Sequence, residues 1–76
     1  MKTVVLYIGN HPRRHELGWR ASVAIDLSNW CKEHGLVPTV DYMWALHSDV
    51  NEVHFAFFDK AEAFGTFFAL RWSEFT

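Results

Sequence analysis

Val53, Phe55 and Phe57 alternate with His54, Ala56 and Phe58, the period-two pattern of a strand, and β-branched and aromatic side chains suit a pleated, half-buried surface. The stretch Glu52–Phe58 is therefore predicted as a strand. Asp59 follows with Glu62 three positions on, a capping-box spacing, so a helix is expected from Lys60 to about Trp72. Phe64, Phe67, Phe68 and Trp72 then recur at three- and four-residue intervals and mark its apolar stripe.

Upstream, Thr3–Ile8 is a short β-branched run ended by Gly9 and Asn10, and reads as the first strand. Pro12 suits a first helical turn, which places a helix from Pro12 to His34 with Trp19, Val23, Leu27, Trp30 and Cys31 inward. Within it, Gly18 is expected to cost about 1 kcal/mol relative to Ala. Gly35 offers a left-handed cap, Leu36 its apolar contact, and Pro38 a stop. Val40–His47 is the second strand, joined to the third by the turn Ser48–Asn51.

The order β-α-β-β-α, with a right-handed crossover and a hairpin, predicts one α+β domain over residues 1–76. Its three-stranded antiparallel sheet has order 1-3-2 and carries both helices on one face. This is a truncated, ferredoxin-like sandwich lacking a fourth strand. The most apolar strand lies in the centre, and both edge strands are open.

Alternation also assigns the faces. Val4, Leu6, Ile8, Val40, Tyr42, Trp44, Leu46, Val53, Phe55 and Phe57 point to the helices. Val5, Tyr7, Met43, Ala45, His47, His54, Ala56 and Phe58 form the opposite face, which lacks the charge of an ordinary solvated sheet surface. Such a face is a candidate contact surface, and its partner-binding residues are Tyr7, Met43, Ala45, His47, His54, Ala56 and Phe58.

A chain of 76 residues buries only about 60% of its unfolded surface, so a dense aromatic core or self-association must supplement it. The open edges, the outer face and the small size together predict a two-fold homodimer. One cysteine precludes an internal disulfide and suits a reducing compartment. No signal-like leader or membrane-length apolar run is read, so the expected location is cytoplasmic and no membrane partner is expected. A net charge of −2 argues against nonspecific attraction to nucleic acid or anionic lipid.

Candidate chemistry is sparse. His11, Arg13, Arg14 and Arg20 fall where a strand feeds the predicted helix start, a place where free N–H groups attract anions, and so form a candidate site for a phosphate or an acidic partner. No glycine-rich phosphate fingerprint accompanies them. His11, His15 and Glu16 share the metal-ligand residue types, but a zinc centre needs a fuller set, and no metal or cofactor is expected. Cys31 lies on the apolar stripe, and no nucleophile–base grouping or carboxylate pair stands out, so no catalytic residue is assigned. Tyr7 on the outer face admits RNA stacking as an alternative, one that a reversed strand register exposing Phe55 and Phe57 would strengthen.

Phe55-x-Phe57, Asp59, Ala63 and the ending Phe68-Ala69-Leu70-Arg71-Trp72 resemble the C-termini of small tailed-phage accessory proteins. The resemblance covers about the last quarter of the chain, and Gly65 departs from the alanine expected there. It implies a phage protein working in the host cytoplasm and carries over no catalytic residue. The expected function is a non-catalytic interaction module that modulates or inhibits a host protein complex, including a defence complex such as CRISPR-Cas. A nucleic-acid- or phosphate-binding domain using Arg13, Arg14, Arg20 and Tyr7 is the alternative.

Overall fold

Strand alternation governs the architecture of the computed structural model, which describes all 76 residues. The elements are β1 (Lys2–Tyr7), α1 (Trp19–Glu33), β2 (Tyr42–His47), β3 (Glu52–Phe57) and α2 (Glu62–Arg71), with 3₁₀ turns at Asp59–Ala61 and Ser73–Phe75. The sheet has order β1-β3-β2, and both pairings are antiparallel. Both helices cover one face.

The core forms where the three inner rows meet those helices. Val4, Leu6, Ile8, Tyr42, Val53, Phe55 and Phe57 are buried together with Trp19, Val23, Ala24, Leu27, Cys31 and Phe68. Phe68 sets its ring 4.7 Å from Phe55 and 5.2 Å from Phe57, locking α2 to the central strand. Between α1 and β2, the Ser28 hydroxyl donates to the Tyr42 hydroxyl at 2.7 Å, and that hydroxyl donates to the Ser28 carbonyl at 3.1 Å. Ser28 is buried without belonging to the apolar stripe, because Tyr42 satisfies it.

Several boundaries differ from expectation, each for a local reason. The first strand starts at Lys2 and stops at Tyr7, although Ile8 continues its line by donating to the Asn51 carbonyl at 2.8 Å. Helix α1 begins at Trp19, not Pro12. Between them, Arg14 donates to the His11 carbonyl, Glu16 to Arg13 and Trp19 to Glu16, so residues 11–18 are successive turns rather than helix. Only Leu17 in that stretch is strongly apolar and it is fully exposed, so a helix there would bury nothing to offset its nucleation cost. Gly18 adopts φ 68° immediately before the helix, and no mid-helix penalty arises.

At the other end of α1 the expected stop is realised. Gly35 has φ 87°, its N–H reaches the Lys32 carbonyl at 2.9 Å, and the Leu36 N–H reaches Cys31 at 3.2 Å. This is the paired bonding of a Schellman cap.

Strand β2 begins at Tyr42 rather than Val40, which is half exposed and not part of the core. The Asp41 carboxylate accepts the Val37 N–H at 2.7 Å, and Thr39, at φ 69°, donates to the Tyr42 carbonyl at 2.7 Å. These local bonds turn the chain before the strand. Strand β3 ends at Phe57, and Phe58 follows in line by donating to the Asp41 carbonyl at 2.9 Å.

Asp59 does not cap α2. The Asp59–Ala61 turn intervenes, Ala61 takes the cap position, and no side chain bonds there. Instead the N-terminal ammonium donates to Asp59 at 2.8 Å and to Glu62 at 2.5 Å. Those two bonds push its pKa up to about 10, while the ammonium holds Asp59 below the usual carboxylate range. All three groups are solvent-exposed, so screening leaves this clamp little weight in stability. The stripe of α2 also divides: Phe68 is buried, Phe64 and Trp72 are half-buried, and Phe67 is exposed.

Candidate interaction surface

Opposite the helices, the register lays the outer residues in three rows across β1, β3 and β2. They are Thr3–Ala56–Met43, Val5–His54–Ala45 and Tyr7–Glu52–His47. Val5 is 41% exposed, Tyr7 47% and Met43 54%, and Ala45 and His47 are exposed beside them. Phe58, half-buried, sits just beyond the strand end. All seven predicted partner-binding residues, Tyr7, Met43, Ala45, His47, His54, Ala56 and Phe58, thus lie on this face of the sheet or at its end.

The surface is graded rather than uniform. Ala56 and Met43 adjoin at one end, and in the middle row Val5 and Ala45 flank His54. Toward the other end the His47 and His54 rings lie with centroids 4.0 Å apart, and His54 Nε2 is 2.9 Å from a Glu52 carboxylate oxygen. Glu52 lies on the same face and was left out of the sequence reading. The signal was present, since Glu52 shares the parity of His54.

The basic group is dispersed into internal contacts. Arg13 is paired with Asp26 at 2.5 Å and Glu16 at 3.3 Å, and these partners raise its pKa. Arg14 donates to the His11 carbonyl at 3.1 Å. Arg20 donates to Asn51 at 2.6 Å and lies 4.8 Å over the Trp19 ring. His11 stacks on Phe75 at 5.4 Å and accepts the Arg13 N–H at 3.1 Å; burial, then the nearby Arg13 charge, lower its pKa. The helix start that would have gathered an anion beside Arg13 and Arg14 is at Trp19 instead. No group of three or more His, Cys, Asp or Glu side chains is placed to hold a metal.

Sequence reading also missed a half-open cleft of about 390 Å³ between α1 and the C-terminal turn. Ile8, Leu27, Trp30, Trp72 and Phe75 line it, with the Arg13–Asp26 pair at its rim. The Trp72 indole N–H is buried and has no acceptor. Nothing in the sequence signals this cleft, because its walls come from chain segments far apart.

Cys31 is a core residue, and burial pushes its thiol up to about 12. A neutral, enclosed thiol has neither the thiolate character nor the access that reactivity needs. Ellman's reagent is therefore expected to leave Cys31 unmodified in the folded protein and to label it fully in denaturant. Fast labelling under native conditions would place Cys31 outside the core.

No family model matches the chain, and neither the curated proteins nor the solved structures contain a significant match. No helix is long and apolar enough to cross a membrane.

Proposed function

We propose that this chain is a non-catalytic protein-interaction module that holds a protein partner against the uncovered face of its sheet. The observation that carries the reading is the weakly charged outer face, where Val5 and Met43 stand exposed, Ala45 and Ala56 are small, and Glu52 is the one Asp, Glu, Lys or Arg residue in the three rows. A solvated sheet face ordinarily alternates to charge, and a contiguous apolar patch is the usual mark of a contact surface. The resemblance of Phe55-x-Phe57, Asp59, Ala63 and Phe68–Trp72 to phage accessory proteins supports the class of partner we propose: a host protein complex, a defence complex such as CRISPR-Cas among them, met in the host cytoplasm.

Affinity capture of host proteins should discriminate. Val5→Glu and Ala56→Glu put a carboxylate into the patch, and capture should fall at least tenfold while thermal melting stays near that of the unmutated protein. Undiminished capture by both variants would falsify this assignment of the surface. The second reading, phosphate or nucleic-acid binding, draws on the half-exposed ring of Tyr7 on β1. Ionic strength separates the two, because phosphate contacts weaken steeply with salt whereas an apolar interface holds.

A further inference from the structure

The two open edges of the sheet are not equivalent. On β1 the helix-side residues Val4 and Leu6 are buried, at 5% and 0% exposure, as is Ile8 just beyond the strand. On β2 only Tyr42 is buried, while Trp44 and Leu46 remain half-buried at the margin of the core. An edge whose inner side chains are incompletely covered has apolar surface still to lose.

Backbone direction shows what that edge offers. Ile8 donates to Asn51, and Phe58 donates to Asp41. Antiparallel ladders alternate the direction of their polar groups. Residues 52, 54 and 56 of β3 therefore turn theirs toward β2, and residues 43, 45 and 47 of β2 turn theirs back. Tyr42, Trp44 and Leu46 must then present N–H and C=O groups outward. The Tyr42 carbonyl confirms the direction, since Thr39 reaches it from outside the sheet, where Pro38 forms an isolated bridge to Tyr42. Trp44 and Leu46 are left with four unpaired backbone groups on an open edge.

We propose that these groups are satisfied by a second copy of the chain, through antiparallel β2–β2 pairing about a two-fold axis at Ala45. With the axis there, Trp44 of each copy stands opposite Leu46 of the other, and all four outward groups of each strand are used in four hydrogen bonds. Trp44 also packs across the strand on Leu46, covering the two side chains that one chain leaves half-buried. Pairing about an axis residue always joins positions of equal parity, so helix-side faces helix-side and the outer faces merge into one six-stranded surface. Ala45, small and exposed, allows close approach at the axis. The Pro38–Thr39 segment, already bonded at Tyr42, ends the pairing there.

The pairing uses the outward backbone groups of β2, whose outer side chains Met43, Ala45 and His47 also belong to the face assigned to the protein partner, so the test is made on the isolated protein, where it reports on the second copy alone. Light scattering at high micromolar concentration should give about twice the 8.9 kDa chain mass. Ala45 opposite Ala45 is a non-hydrogen-bonded pair with Cα atoms about 4.5 Å apart, within disulfide range. Ala45→Cys should therefore cross-link between copies when diamide takes up the two electrons and two protons of the thiols. Met43→Cys should not, because the two Met43 positions lie about 14 Å apart in that register. Ala45→Glu opposes two carboxylates at the axis and should yield a monomer with native circular dichroism. A monomer for the unmutated chain overturns the proposal, as does a dimeric Ala45→Cys that does not cross-link. Equal cross-linking through Met43→Cys, or a dimer that survives Ala45→Glu, overturns it too. In each of those cases capture of a host protein remains a separate question.

Discussion

Phe55→Ala is expected to destabilise the fold by about 3–5 kcal/mol, the range for deleting a buried aromatic ring. Phe55 is fully buried in the central strand. Its ring lies 4.7 Å from Phe68, 6.0 Å from Tyr42, 6.1 Å from Phe57 and 6.4 Å from Trp44, so one deletion touches α2 and both β2 and β3. A domain of 76 residues has roughly 4–11 kcal/mol in total at the usual per-residue stability. The variant should thus be largely unfolded or melt far below the unmutated protein. Thermal denaturation followed by circular dichroism decides it, and an unchanged midpoint would contradict the central placement of Phe55.

Gly65→Val should be the next most damaging of the changes considered, at about 2–3 kcal/mol, the scale of overpacking a close-packed core. From helix propensity alone the sign is opposite, since glycine inside a helix is worse than nearly any residue. Packing reverses it. A Cβ at Gly65 would come 2.9 Å from Cδ2 and 3.1 Å from Cγ of Phe57, with the Lys2 side chain at 3.3 Å. Phe57 is itself fully buried, with its ring packed among those of Tyr42, Phe55, Phe64 and Phe68. Chemical denaturation with an unchanged slope and a lowered midpoint is the expected outcome. A raised midpoint would show that α2 can lift from the sheet without cost. Glycine at position 65 has its physical account here: α2 approaches β3 too closely for a methyl group.

Strand parity was the part of this fold most legible in the sequence. Once Val53, Phe55 and Phe57 are read as one face, period-two geometry places His54 and Ala56 on the other. The apolar content of that strand puts it between its neighbours, because a central strand has no solvent-facing edge. The stop of α1 was legible for the same kind of reason: Gly35 can take the left-handed conformation at no steric cost. Those inferences rest on covalent geometry and on burial over several residues, which tertiary contacts seldom overturn.

What only the tertiary structure decided were the residues whose local and distant partners compete. Pro12 and the polar stretch after it carry an acceptable helix start, but no core lies beneath them, and turns cost less. Asp59 and Glu62 have the spacing of a cap, yet a 3₁₀ turn intervenes and both carboxylates bond the N-terminal ammonium that β1 brings beside them. Arg13 and Arg20 read as free cations until Asp26 and Asn51 arrive from other segments. The unequal covering of the two sheet edges is invisible along the chain, because Trp44 and Leu46 have the same inward parity as Val4 and Leu6. Period and propensity are properties of neighbours in sequence, whereas exposure, charge pairing and the choice of a free edge depend on which segments the fold brings together.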